Sequence, residues 1–178
     1  MSKIVFFGDS ITQNFTKLAE HENVVNLGRS GDKIMDLIGR FVELLDQEPD
    51  KIFLMIGTND FLVDQGYWQR PIRIDIVSMY LALLALFRDN FHFDNIYLLS
   101  IPPINIPGVN NKVWNKELDI YNDFIKEQAT RNRYKYIDLA RYFKDDYNNL
   151  DKAYTNDGVH LNEQGYNLYY KRIKDLLD

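Results

Sequence analysis

The chain has no cysteine. That excludes disulfides, thiolate metal ligands and a cysteine nucleophile together. Basic residues are not in surplus either: 21 Lys and Arg face 26 Asp and Glu, for a net charge of −5. Broad nucleic-acid binding, which depends on neutralising phosphates, is not expected of such a chain. Long hydrophobic runs are missing. The longest apolar segment, residues 72–87, carries Arg73, Asp75 and Ser78, so no stable membrane insertion is expected. Met1-Ser2-Lys3 lead directly into an apolar stretch, without the basic, apolar and small-residue succession of a secretion signal. A cytoplasmic protein is therefore expected, provided no leader has been removed. Repeats, low-complexity tracts and linkers are also lacking, and 178 residues are most simply one domain, 1–178, with a real core. The three histidines do not cluster, so no metal is expected, and no cofactor.

What is present is an alternation. Ile4-Val5-Phe6-Phe7 is a short buried strand, ended by Gly8. Asp9 and Ser10 follow, and Ile11, Phe15 and Leu18 open a helical spacing. Residues 23–27 form a second strand and 28–32 a loop with two glycines. A helix runs from about Asp32 through Ile34, Leu37, Ile38, Phe41, Leu44 and Leu45, until Glu48-Pro49-Asp50 breaks it. Residues 51–56 are the third and most apolar strand, closed by Gly57-Thr58-Asn59-Asp60. Residues 61–70 read as irregular. Pro71 then suits the first turn of a helix whose apolar face is Ile72, Ile76, Met79, Tyr80, Leu83 and Phe87. Ile74, Val77, Leu81 and Leu84 widen that face, predicting a well-buried helix. Residues 95–101 form a fourth strand, stopped by Pro102-Pro103. An amphipathic helix from about Trp114 to Gln128, a fifth strand at 134–138 and a last helix from near Asn162 complete the chain. Each crossover is long enough for a helix, which implies parallel strands with right-handed connections. The pattern predicts an α/β fold, a three-layer α/β/α sandwich on a five-stranded parallel sheet.

Parallel strands end on one side, and ligands bind there in open α/β sheets. Ser10, Gly31, Asn59 and the Pro102-Pro103 loop all follow strand ends. The last loop adds Asp157, Gly158 and His160 before the final helix. Each residue has a plainer use: Ser10 and Asn162 as helix caps, Asn59 and Asp157-Gly158 as turn residues, Gly28 and Gly31 as left-handed backbone. Together they supply what acyl transfer needs. A serine hydroxyl requires an adjacent base. His160 has a carboxylate three residues earlier in a tight turn, a spacing able to engage one imidazole nitrogen and leave the other free. His21, at the end of the first helix, reads as solvated, and His92, between two phenylalanines, as packed or capping. An oxyanion formed on attack needs fixed donors, and the N–H groups of Ser10 and Gly31 and the amide of Asn59 are candidates.

Gly8-Asp9-Ser10, Ser30-Gly31-Asp32, Gly57-Thr58-Asn59-Asp60 and Asp157-Gly158-Val159-His160-Leu161 resemble, in order, the four blocks of the SGNH hydrolases, the GDSL esterase/lipase family. They span nearly the whole chain. Ile11 stands where the family has the leucine of its GDSL block. The resemblance implies the SGNH hydrolase fold, with a flavodoxin-like strand order 2-1-3-4-5, and serine ester hydrolysis. It implies Ser10 as nucleophile, His160 as base, Asp157 as its partner, and Gly31 and Asn59 completing an oxyanion hole. Gly28 is the alternative to Gly31, which matches the Ser-Gly-Asp form of its block. Thr12 stands where the Gly-x-Ser-x-Gly elbow of an α/β-hydrolase has its second glycine. No Walker-type loop, and no Gly-x-Gly-x-x-Gly after the first strand, is present.

The rivals to a small-molecule ester hydrolase are a flavodoxin-like module holding a phosphate at the same edge, which has no need for the Asp157–His160 pair, and a protein with a dead site. Within the family, a lysophospholipase or thioesterase is the alternative. The segment 61–71 carries Phe61, Leu62, Tyr67, Trp68 and Gln69, and 101–114 carries Ile104, Asn105, Asn110, Asn111 and Trp114; their aromatic faces mixed with amide side chains suit a sugar ring. Trp114 equally suits the core. A short-acyl or acetyl ester of a carbohydrate is the substrate they favour.

Overall fold

Residues 2–62 and 73–177 are described by the computed structural model. The readings placed on 63–72, including Gly66, Tyr67, Trp68, Gln69, Pro71 and Ile72, lie outside the described residues. Five strands, β1 (Ile4–Gly8), β2 (Val24–Gly28), β3 (Lys51–Met55), β4 (Ile96–Leu99) and β5 (Lys135–Ile137), form one parallel sheet in the order β2-β1-β3-β4-β5. The helices are α1 (Ser10–Gln13), α2 (Ile34–Gly39), α3 (Phe41–Leu45), α4 (Thr58–Leu62), α5 (Arg73–Asn90), α6 (Asn111–Asn132) and α7 (Glu163–Ile173).

Side chains alternate across a strand, so each strand feeds two layers. Val5, Phe7, Ile52 and Leu54 pack with Ile34, Leu37, Tyr80, Leu83, Phe87, Leu118 and Ile125 from α2, α5 and α6. Ile4, Phe6, Phe53 and Tyr97 face the other way, onto Ile11, Phe15, Tyr169 and Ile173. The register places Phe6 beside Phe53 and Phe53 beside Tyr97. Their rings stack, with centroids 4.6 and 4.5 Å apart. Lys135 closes the row, its Nζ lying 4.7 Å over the Tyr97 ring and donating to Tyr97 Oη at 3.1 Å.

Several elements differ from the sequence pattern. The first helix is a single turn followed by a 3-10 turn, Thr16–Glu20; the two together still bury Ile11, Phe15 and Leu18. The second helix divides into α2 and α3 at Arg40, whose side chain turns under the sheet edge. Residues 58–62, read as a turn and irregular chain, form α4, because Phe61 is drawn into the core against Tyr121, ring centroids 5.2 Å apart. In α5, Ile76, Tyr80, Leu83, Leu84 and Phe87 are buried but Leu81 is 43% exposed, so that helix is buried on one side only.

Phe53 sits mid-sheet with neighbours stacked on both faces of its ring. Phe53→Ala should cost about 3–5 kcal/mol, the usual loss for truncating a buried phenylalanine. Urea unfolding measures it, and a loss under 1 kcal/mol would mean that the stack contributes little.

Candidate active site

β1 is the inner strand at the site, with Gly8 paired to Gly28 on one side and Met55 on the other. Three loops thus leave the sheet along one line. Asp9 follows β1 in extended conformation, and its Oδ1 accepts the Ile11 N–H at 3.0 Å. Asp9 is therefore the cap of α1 and Ser10 its first helical residue. The capping use open to Ser10 in the sequence is filled by its neighbour, and the hydroxyl is released. Ser10 Oγ lies 3.0 Å from His160 Nε2.

His160 belongs to a turn pinned at both ends by the antiparallel bridge Thr155–Leu161. Asp157 Oδ1 accepts the N–H of Val159 at 2.9 Å and of His160 at 2.8 Å. Its Oδ2 lies 2.7 Å from His160 Nδ1. A carboxylate only accepts, so Nδ1 carries the proton and Nε2 presents a lone pair to Ser10. Partial burial works to raise the Asp157 pKa. The bonds from the His160 ring and from the two N–H groups outweigh it and hold the carboxyl at about 2. Gly158 has φ +84°, and a Cβ there would lie 2.2 Å from Asn105 O. The Asn105 N–H donates to Gly158 O at 2.7 Å, so the chain beyond Pro102-Pro103 props the turn. Asn162 caps α7, as its sequence position suggests, accepting the Gly165 N–H at 3.0 Å.

On the opposite side, Gly31 has φ +83°, open space where a Cβ would stand, and an N–H with no hydrogen-bond partner among the described residues. The Gly28 N–H is occupied, donating to Asn26 Oδ1 at 2.8 Å. Asn59, at the start of α4, donates one amide proton to Asp32 O at 2.9 Å and keeps the second. Asp60 accepts the Ile34 N–H at 3.2 Å, tying α4 to α2.

The remaining candidates separate from this group. His21 Nε2 is 3.0 Å from Tyr170 Oη, joined to the last helix where the sequence suggested solvent. His92 caps the 3-10 turn Phe93–Asn95 and stacks on Phe93. Asn111 Oδ1 and Nδ2 bond the N–H and O of Ile106, and Asn105 Nδ2 bonds Leu150 O, so these amides hold loop backbone. Trp114 is buried. It lines a cavity of about 440 Å³ with Leu62, Ile106, Val109, Asn110 and Val113. Arg40 also belongs to this edge, and its only signal in the sequence is a cation inside an apolar helical spacing. Among the described residues no group of His, Asp and Glu is arranged to hold a metal ion, and no helix is long and apolar enough to cross a membrane.

Residues 6–168 match the GDSL-like lipase/acylhydrolase family. The chain belongs to that family of ester hydrolases. An N-acylneuraminate cytidylyltransferase of Escherichia coli O18:K1:H7 is 27% identical over 180 residues, covering 99% of this chain and 41% of that protein. The chain thus spans about two fifths of the length of this curated relative. A GDSL-like lipase from Bacteroides thetaiotaomicron superposes with a TM-score of 0.83 at 20% identity, over 99% of this chain and 87% of the other. An acetylxylan esterase from Geobacillus stearothermophilus gives 0.78 at 20% identity, over 99% and 94%. At that identity these likenesses establish a shared fold.

Behind Ser10, burial pushes the Asp9 carboxyl up to about 7, against the pull of the Ile11 N–H and of His160. The folded chain therefore holds a proton that the unfolded chain loses near pH 4, so stability falls as pH rises from about 4 to about 7. Asp60, pushed up by burial to about 6, adds in the same sense. Asp9→Asn should make the fall in Tm across that window shallower. An unchanged slope would assign the pH dependence elsewhere.

Proposed function

We propose that the chain hydrolyses small carboxylic esters with Ser10 as nucleophile, His160 as base and Asp157 as the partner of the base. The single observation that carries the reading is the continuous line from Ser10 Oγ to His160 Nε2, 3.0 Å, and from His160 Nδ1 to Asp157 Oδ2, 2.7 Å. Ser10 Oγ attacks the acyl carbon while Nε2 takes its proton. The Asp157 carboxylate favours the imidazolium that results. The N–H groups of Ser10 and Gly31 and the free amide proton of Asn59 receive the oxyanion. The imidazolium then protonates the departing alcohol. Water, activated by the same nitrogen, attacks the acyl-enzyme, and the carboxylic acid leaves with Ser10 restored.

The substrate we infer is a short-acyl or acetyl ester of a carbohydrate or similar alcohol. The name of the Escherichia coli relative supports the carbohydrate but not the ester, because an N-acyl group is an amide. The amide of Asn111, bonded to backbone through both of its polar atoms, does not add to it. A second reading, an ester with a longer apolar chain such as a lysophospholipid, is favoured by the cavity of Leu62, Ile106, Val109, Val113 and Trp114. A phosphate-binding module would leave the Asp157–His160 pair without a use.

Ser10→Ala and His160→Ala should each abolish nearly all hydrolysis of p-nitrophenyl acetate and leave the fold intact. Asn59→Ala should lower kcat by about 10²–10³ with little change in KM, as for loss of one oxyanion donor. Equal turnover by wild type and Ser10→Ala, or no reaction of wild type with a serine-directed organophosphonate, would overturn the mechanism.

Across p-nitrophenyl esters from acetate to palmitate, kcat/KM should peak at acetate or butyrate and fall steeply by octanoate. A peak at decanoate or beyond would favour the second reading and leave the serine mechanism standing.

A further inference from the structure

Among the described residues, Arg40 is the one cation buried in the fold, 7% exposed. A guanidinium is expensive to desolvate, and it persists inside only where its donors are engaged. Arg40 Nε donates to Asp32 Oδ2 at 2.7 Å, while Nη2 donates to Gly8 O at 3.1 Å and to Leu27 O at 2.8 Å. The guanidinium lies over the Phe7 ring, 4.5 Å from its centroid. Nη1 is buried without a hydrogen bond, 3.7 Å from Glu43 Oε2. One planar group thus ties the end of β1, the end of β2 and the loop between β2 and α2.

Those are the attachment points of the oxyanion donors. Gly8 is two residues before Ser10. Asp32 directly follows Gly31, and Asp32 O is the acceptor that orients the Asn59 amide. With its side chain clamped by Arg40 and its carbonyl engaged by Asn59, Asp32 links the guanidinium to two of the proposed donors. A brace serving only the sheet would need the Gly8 and Leu27 carbonyls alone; the bond to Asp32 reaches past the sheet into the loop.

We propose that Arg40 is a positioning residue that sets the Gly31 N–H and the Asn59 amide at the distance from Ser10 that the transition state requires. The inference rests on the esterase reading above. Fixed donors are worth most when they need no reorganisation as charge develops, so their displacement should act on kcat. Lysine keeps the charge but cannot span three acceptors in one plane.

The test compares Arg40→Lys and Arg40→Gln with wild type on p-nitrophenyl acetate, with rates normalised to folded protein by circular dichroism. We expect kcat lower by about 10- to 100-fold with KM nearly unchanged, a modest loss for displaced rather than deleted donors. Inhibition by a boronic acid, whose serine adduct is tetrahedral and anionic, should weaken by a similar factor. A purely structural Arg40 would lower Tm and the folded fraction but leave both constants unchanged per folded molecule. That outcome overturns the proposal. If both Arg40 variants fail to fold, Asp32→Asn carries the test: it removes the charged partner, the same kcat loss is expected, and wild-type kcat overturns the proposal. Wild-type protein inactive on every ester, or as active as Ser10→Ala, would instead mark failure of the esterase reading.

Discussion

The parallel pairing of β1 with both of its neighbours is the constraint on which the rest of this structure depends. Gly8 lies level with Gly28 and Met55, so the loops after β1, β2 and β3 all start from one line. Nothing in those loops has to search for the others. The pairing is held where the chain is most apolar, by strand residues buried on both faces and by the stacked rings of Phe6, Phe53 and Tyr97. A register slip of one residue would turn those rings into the opposite layer and carry Ser10 off the line.

The fourth part of the site comes from the far end of the chain, and bonds local to it shape its turn. The turn at 155–161 is shaped by its own backbone donors on Asp157 and is propped by Asn105. Tyr166 on α7 donates to Ile11 O at 2.8 Å, joining the helix that follows His160 to the helix that begins at Ser10. Ser10 and His160 therefore meet because two packed helices meet. The 3.0 Å contact between them thus spans two segments that are themselves joined by the Tyr166 bond.

The electrostatics of this edge are lopsided. Asp9, Asp32, Asp60 and Asp157 all approach it, and the compensation differs for each. Asp157 is satisfied by N–H groups and the imidazole, and stays ionised. Asp9 and Asp60 are held largely out of water, and burial shifts them toward the protonated form. Asp32 has the guanidinium of Arg40. Burying a cation is tolerable here because carboxylates and strand-end carbonyls already converge on the same place.

The sequence alone determined the sheet, its parallel sense and the edge at which Ser10, Gly31, Asn59, Asp157 and His160 gather. Apolar runs of strand length and helical spacings between them report burial directly, and parallel strands must end together. It also carried the Asp157–His160 turn, because that contact is local. What only the tertiary structure decided depends on partners distant in sequence. Asp9 rather than Ser10 caps α1, Gly28 gives its N–H to Asn26, and both amide atoms of Asn111 are taken by backbone. The break at Arg40 belongs with these: periodicity counts apolar positions and reads a lone arginine as a surface residue. It cannot register two strand-end carbonyls and an aspartate that become neighbours only when β1 and β2 pair.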